Sequence, residues 1–180
     1  MSLQLVYETH SVTEDNEAGI ATGWSPGRLS ARGRALAVEL GRRRPADGFA
    51  AVYSSDLSRA VETAELAYAG SDVPLHVDTR LRECDYGALT GCPVADLARV
   101  RLDHVDAPFP GGGQSYRDVV AATADFLEDL RRRDHDGQRI LVIAHSANRW
   151  ALQHLLDGTP LEDLVVAPFE WQPGWEWTLA

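Results

Sequence analysis

Apolar positions along the chain come in short runs separated by polar stretches. Leu3 to Tyr7 (LQLVY) has the length and apolar content of a buried strand. Glu8 to Leu29 is polar and carries Gly19, Gly23, Pro26 and Gly27, which predicts a long loop of the kind that usually serves function. Ser30 offers an N-cap to a helix running to about Arg44, where Pro45 stops it. Ala50 to Tyr53 predicts a second strand, Ser54 to Asp56 a tight connection, and Leu57 to Tyr68 a helix capped by Asp56 and ended by Gly70. A third short strand is predicted at Leu75 to Val77, then helical turns around Ala95 to Arg101 and a loop at PFPGGGQ. Tyr116, Val119, Val120, Thr123, Phe126, Leu127 and Leu130 recur at helical spacing behind a Ser115/Asp118 capping box. Ile140 to Ala144 (ILVIA) predicts a buried strand, Trp150 to Leu156 a helix, and the alternation of WEWTL a closing strand.

Strands alternating with helices imply an α/β chain, a three-layer α/β/α sandwich whose mostly parallel sheet carries helices on both faces. No linker or repeat divides residues 1–180, so one domain is expected. In such sheets ligands sit beyond the carboxyl ends of the strands. His10 follows the first strand and His145 ends ILVIA, so both imidazoles are expected where this architecture builds its sites.

Composition narrows the function classes. With 44% hydrophobic and 24% charged residues the chain is of the ordinary globular type. No apolar run approaches the roughly 18 residues of a membrane span, and no secretory signal is visible, so a cytoplasmic location is expected. Formal net charge is −10, a field that opposes nucleic acid and anionic membranes as partners. An anionic ligand must therefore be gripped by a local cluster of cations. Cys84 and Cys92 are expected to stay reduced in that compartment.

Five stretches in order carry a resemblance. THS with Thr13 and Asn16, TGW at 22–24, SSDLSRAVETA at 54–64, RLRECDYG at 80–87 followed by PFPGGGQSY, and IAHSAN at 143–148 make the chain resemble the histidine phosphatase (phosphoglycerate mutase-like) superfamily over nearly its full length. The resemblance implies a phosphoglycerate mutase-like fold and hydrolysis of a small phosphomonoester through a phosphohistidine, with no cofactor and no metal. His10 would be the nucleophile, Glu83 the proton donor and His145 a catalytic partner, while Arg59, Asn16, Thr22 and Gly23 would bind phosphate or substrate. The chemistry agrees, since an imidazole is largely neutral and nucleophilic at pH 7 and a guanidinium fork matches phosphate oxygens.

The chain departs from that pattern where the family has Arg-His-Gly. Thr9 and Ser11 flank His10, and Glu8 adds a negative charge. One cation is thus missing, and loss of one preorganised donor typically lowers turnover by about 10² to 10³ fold. Arg28 is the preferred replacement, with Arg82 and Arg149 as alternatives. Asp85 rivals Glu83 as the acid. Two other function classes stay open: a phospholigand-binding module without turnover, and a metal enzyme built on two histidines and a carboxylate, disfavoured by the lack of metal-ligand spacing. Mutase-type transfer is disfavoured by the absence of long insertions around the site. His76, His104, His135 and His154 lack motif context and are read as structural. Arg59 taken alone would be a surface partner of Glu62. The triple glycine 111–113 lacks a nucleotide-loop ending. Trp171, Trp175 and Trp177 are read as packing, with a homodimer contact as their other use.

Overall fold

The computed structural model describes residues 2–133 and 137–179, and His135 lies outside the described residues. Five strands form one sheet: β1 (Leu3–Thr9), β2 (Ala51–Ser54), β3 (Leu75–Val77), β4 (Arg139–Ala144) and β5 (Trp175–Leu179). They lie in the order β3-β2-β4-β1-β5, parallel throughout except for the antiparallel β1–β5 pair. The helices are α1 (Glu14–Ala18), α2 (Ala31–Arg43), α3 (Ser58–Ala67), α4 (Val94–Val100), α5 (Tyr116–Arg132), α6 (Ser146–Asp157) and α7 (Leu161–Val166).

Period-two alternation decides which face each strand residue covers. Val6, Val52, Leu141 and Ile143 pack with Leu40 of α2 and Ala64 of α3. Leu5, Tyr7, Tyr53, Ile140 and Val142 pack on the other face with Phe126, Leu127 and Leu130 of α5 and Leu152 of α6. The expected three layers therefore form. A further apolar cluster joins Cys84, Tyr86, Leu97, Val105 and Phe109 to Tyr116, Trp150 and Leu161, so the irregular segment 84–113 packs over the amino ends of α5 and α6.

Register positions the site. Thr9 pairs with Ala144 and Ser54 with Ile143, so β1, β4 and β2 end side by side. The next residues are His10, His145 and Ser55. The His10 amide donates to the Ala144 carbonyl at 2.8 Å, which continues the ladder one step and locks the two histidine backbones together.

Several boundaries differ from expectation for identifiable reasons. β1 runs two residues past Tyr7 because the Glu8 carboxylate, 3% exposed, is neutralised by Arg43 Nη1 at 2.6 Å and Arg44 Nε at 2.5 Å. Its charge is thereby consumed by α2. The loop after His10 contains α1, closed by a reciprocal Thr13/Asn16 capping box. Asp56 does not cap α3: the helix starts after Leu57 without a side-chain cap, because both Asp56 oxygens accept from Arg82 at 2.7 and 2.5 Å. α6 begins directly after His145, four residues before the expected start. α7 had no counterpart among the expected elements.

Gly33 in α2 shows how tightly the loop after His10 is held. A Cβ there would lie 1.8 Å from the Val12 carbonyl oxygen, which also accepts from the Ser30 amide. The clash is with backbone, so relief requires moving α2 off the loop. Gly33→Ala is expected to destabilise the fold by about 3 kcal/mol, and to lower the Tm by about 6 to 12 °C in thermal unfolding followed by circular dichroism.

Candidate active site

His10 is half-buried, and its Nδ1 lies 2.7 Å from the Ser11 carbonyl oxygen. A carbonyl only accepts, so Nδ1 carries the proton and Nε2 keeps a free lone pair. Burial and the Arg59 charge push the His10 imidazole down to about 3, so it is neutral and nucleophilic at any physiological pH. Ser11, which stands where the resemblance has glycine, ties this turn down. Its hydroxyl donates to the Gly33 carbonyl at 2.6 Å and its amide to Thr63 Oγ1 at 3.0 Å.

The His145 ring centroid lies 5.0 Å from that of His10. His145 is fully buried, and burial together with His10 and Arg59 holds its imidazole well below the usual range. Its Nε2 is 2.7 Å from Ser55 Oγ, which also accepts from the Leu57 amide at 3.3 Å. With that amide on one lone pair, the Ser55 hydroxyl can donate to Nε2, and in that arrangement the His145 proton sits on Nδ1. His145 Nδ1 is buried without a hydrogen-bond partner among the described residues. An orphaned buried donor beside a free lone pair marks space for an acceptor-rich group. Ser55 escaped the sequence reading: two serines after a strand look like an ordinary turn, and only strand register shows which one faces a histidine.

Arg59 is 2% exposed and far from the surface pair with Glu62, which instead binds Arg34 at 2.7 Å. Its Nη2 donates to the Gly23 carbonyl at 2.7 Å and its Nη1 to the Ser25 carbonyl at 3.3 Å, so one cation clamps the 23–25 loop. Gly23 sits at φ 53°, a left-handed conformation natural to glycine, and this turns its carbonyl toward Arg59. Arg59 makes no ion pair among the described residues, and its charge reaches His10, His145 and Glu83. His10, His145 and Glu83, the residues that the resemblance singles out, thus share the influence of the Arg59 charge.

Glu83 is 8% exposed, and burial raises its carboxyl above the usual range despite amide donors at Cys84 (2.8 Å) and Ala147 (3.3 Å). A carboxyl that retains its proton toward neutrality suits proton donation. Asp85 is occupied differently: it accepts from the Gly87 amide at 2.9 Å and shapes the turn. Asn148 bridges the two halves of the site, accepting from the His145 amide at 3.1 Å and donating to the Arg82 carbonyl at 3.0 Å. Trp24 Nε1 donates to the Glu83 carbonyl at 2.6 Å and thereby joins the 22–25 loop to the Glu83 backbone.

The remaining candidate residues have these surroundings. Asn16 is exposed, and its Oδ1 accepts from the Thr13 amide at 3.0 Å as part of the α1 cap. The Thr22 hydroxyl donates to Asp15 at 2.9 Å. Arg28 does not replace the missing arginine: its side chain is 78% exposed and lies 3.4 Å from Glu14. Arg82 is committed to Asp56 and stacks over Trp24 at 4.6 Å. Arg149 is buried and makes no ion pair among the described residues, and it is enclosed by the rings of Trp150, Phe169 and Trp175 at 5.9, 5.7 and 4.9 Å. His76 lies tilted against Tyr53 and His104 stacks on Phe109, while His154 Nδ1 meets the Thr159 carbonyl oxygen. Among the described residues no group of three His, Cys, Asp or Glu side chains is arranged to hold a metal ion, and no helix is long and apolar enough to cross a membrane.

Comparison with known proteins shows the family and the fold. The sequence profile of the histidine phosphatase superfamily (branch 1) matches residues 9–169. The 2,3-bisphosphoglycerate-dependent phosphoglycerate mutase of Methylobacterium sp. strain 4-46 is 35% identical over 178 residues, spanning 91% of this chain and 85% of the relative. Among solved structures, YhfR of Bacillus stearothermophilus superposes with a TM-score of 0.81 at 28% identity, covering 95% of this chain and 88% of the other. A mycobacterial glucosyl-3-phosphoglycerate phosphatase solved with VO3 superposes with a TM-score of 0.77 at 26% identity, covering 93% of this chain and 87% of that one.

Proposed function

The chain belongs to the histidine phosphatase superfamily, and from that premise we propose that it hydrolyses a small phosphomonoester through a phosphohistidine at His10. The observation that carries this reading is the complementary state of the two imidazoles. Ser11 occupies His10 Nδ1 and leaves Nε2 free, whereas Ser55 occupies His145 Nε2 and leaves Nδ1 without a partner. One nitrogen attacks phosphorus, and the other donates to a nonbridging oxygen.

In the first step His10 Nε2 forms the bond to phosphorus and the P–O ester bond breaks. The leaving alkoxide takes the proton of Glu83. In the second step the Glu83 carboxylate removes a proton from water, the hydroxide attacks phosphorus, the N–P bond breaks and inorganic phosphate leaves. Arg59 and His145 Nδ1–H meet the charge that builds on the nonbridging oxygens in both steps. The similarity to a phosphoglycerate mutase raises a second reading, in which the phosphoryl group returns to an acceptor sugar acid instead of water.

The test is incubation of the full chain with 4-nitrophenyl phosphate in the presence of a chelator. Release of nitrophenol and phosphate supports hydrolysis without a metal. Transfer between phosphoglycerates with little phosphate release supports the mutase reading. No turnover with saturable phosphate binding supports a binding module. The pH profile is a sharper test. Because His10 stays neutral down to about 3, no acid limb near pH 6 is expected. An alkyl phosphate, whose alkoxide needs Glu83 protonated, should slow as pH rises through the raised value of that carboxyl, and an aryl phosphate should slow much less.

Ser55→Ala removes the donor that fixes the His145 tautomer and leaves Nε2 competing for the proton. A loss of about 10 to 100-fold in kcat with a smaller change in KM is expected from steady-state kinetics, the size typical of an orienting partner.

A further inference from the structure

Glu83 is held as closely as the two imidazoles, and by residues to which the mechanism gives no task. Its Oε1 accepts from the Cys84 amide at 2.8 Å and the Ala147 amide at 3.3 Å, which leaves Oε2 to carry the proton. Its own carbonyl accepts from Trp24 Nε1 at 2.6 Å. The carbonyl one residue earlier, on Arg82, accepts from Asn148 Nδ2 at 3.0 Å, and Asn148 Oδ1 takes the His145 amide at 3.1 Å. The peptide that carries the acid is thus tied to the first turn of α6.

The Arg82 side chain closes a ring on the other side. Its Nε and Nη2 donate to the two Asp56 oxygens at 2.7 and 2.5 Å, and its guanidinium lies 4.6 Å from the Trp24 ring centroid. Asp56 follows Ser55, whose hydroxyl meets His145 Nε2 at 2.7 Å. From the His145 ring the path therefore runs through Ser55, Asp56, Arg82 and Asn148 back to the His145 amide, with Glu83 attached to Arg82. An ion pair whose side chains are 31% and 28% exposed adds little to stability. Its bidentate form nevertheless fixes direction, since a planar fork on a carboxylate restricts orientation as well as distance.

We infer that Arg82, fixed by Asp56, and Asn148 are positioning residues that hold Glu83 in a set place relative to His145, so that the proton donor meets the ester oxygen while the phosphoryl group lies against the imidazoles. They act through Glu83 and His145 and not on the substrate. This rests on the phosphatase reading for the task of Glu83.

Leaving-group dependence tests the inference, because an alkoxide needs the acid and 4-nitrophenolate scarcely does. In Arg82→Met the ratio of kcat/KM for ethyl phosphate to that for 4-nitrophenyl phosphate should fall by about 10 to 100-fold, the cost typical of losing an orienting partner. Arg82→Lys should recover only part of it, as an ammonium cannot reproduce the fork. Asp56→Asn should show the same selective loss, and Arg82→Met combined with Asp56→Asn should add little to either alone. Asp56→Asn is close to isosteric and carries the test where Arg82→Met fails to fold. A second readout needs no turnover: the carbon-13 resonance of the Glu83 carboxyl followed against pH. Loosening of the Ala147 amide contact should move that titration upward in Arg82→Met and in Asn148→Ala. If the wild-type chain hydrolyses no phosphomonoester while the titration still moves, the phosphatase reading falls and the positioning role stands. An unchanged ratio in Arg82→Met, with both esters slowed alike or neither slowed, or a Glu83 titration unmoved in both variants, would overturn the inference. So would a selective loss in Arg82→Met that Asp56→Asn does not share, which would assign Arg82 to its stack on Trp24 alone.

Discussion

His10→Ala is expected to reduce kcat/KM for 4-nitrophenyl phosphate by about 10⁴-fold or more and to eliminate the phosphoenzyme, because no second group can form the covalent intermediate. The measurement is twofold: steady-state kinetics, and brief incubation with radiolabelled substrate followed by acid and alkaline quench. A phosphohistidine is lost in acid and survives base, which separates it from a phosphoserine on Ser11 or Ser55. The variant should fold normally, since the side chain is half-buried and its ring bonds only the neighbouring Ser11 carbonyl. Retention of an acid-labile label in His10→Ala would move the nucleophile elsewhere, with His145 the next imidazole to examine.

Arg59→Met should cost about 10³-fold in kcat/KM and abolish detectable binding of inorganic phosphate. Two losses combine. The cation that acts on both imidazoles disappears, and the clamp on the Gly23 and Ser25 carbonyls is released. Arg59→Lys is expected to recover little, because an ammonium cannot hold two loop carbonyls and still present a planar fork to phosphate oxygens. Amide hydrogen exchange should quicken at residues 22–27 in both variants. If phosphate binding survived in Arg59→Met, the oxyanion would lie outside the triangle of His10, His145 and Arg59. Thr9 sharpens this dependence, since the chain has no arginine there to share the load.

The apolar runs were enough to place β1, β2 and β4 and the α/β class, because burial of a central parallel strand demands a continuous apolar stretch whatever its neighbours are. The same holds for α5, whose apolar stripe and capping box are both local. Local signals failed where a distant partner intervened. Glu8 stays within a strand because two arginines of α2 reach it, and Asp56 gives up its helix cap because Arg82 takes both oxygens. Arg28 lies in the long loop after the first strand, where a replacement cation is expected, yet its side chain is directed to Glu14.

By itself the sequence determined the family and the strand-end placement of His10 and His145, since these rest on residue order and short-range pattern, and the resemblance pointed to Arg59 and Glu83 as candidates. Tertiary structure alone decided which ring nitrogens are engaged, that Ser55 meets one of them, and that Arg149 makes no ion pair among the described residues while Arg28 and Arg82 meet carboxylates. The physical reason is that proton position and charge balance depend on partners tens of residues away. Register between β1, β4 and β2 and the packing of segment 84–113 bring those partners within hydrogen-bond reach, and no spacing along the chain encodes that distance.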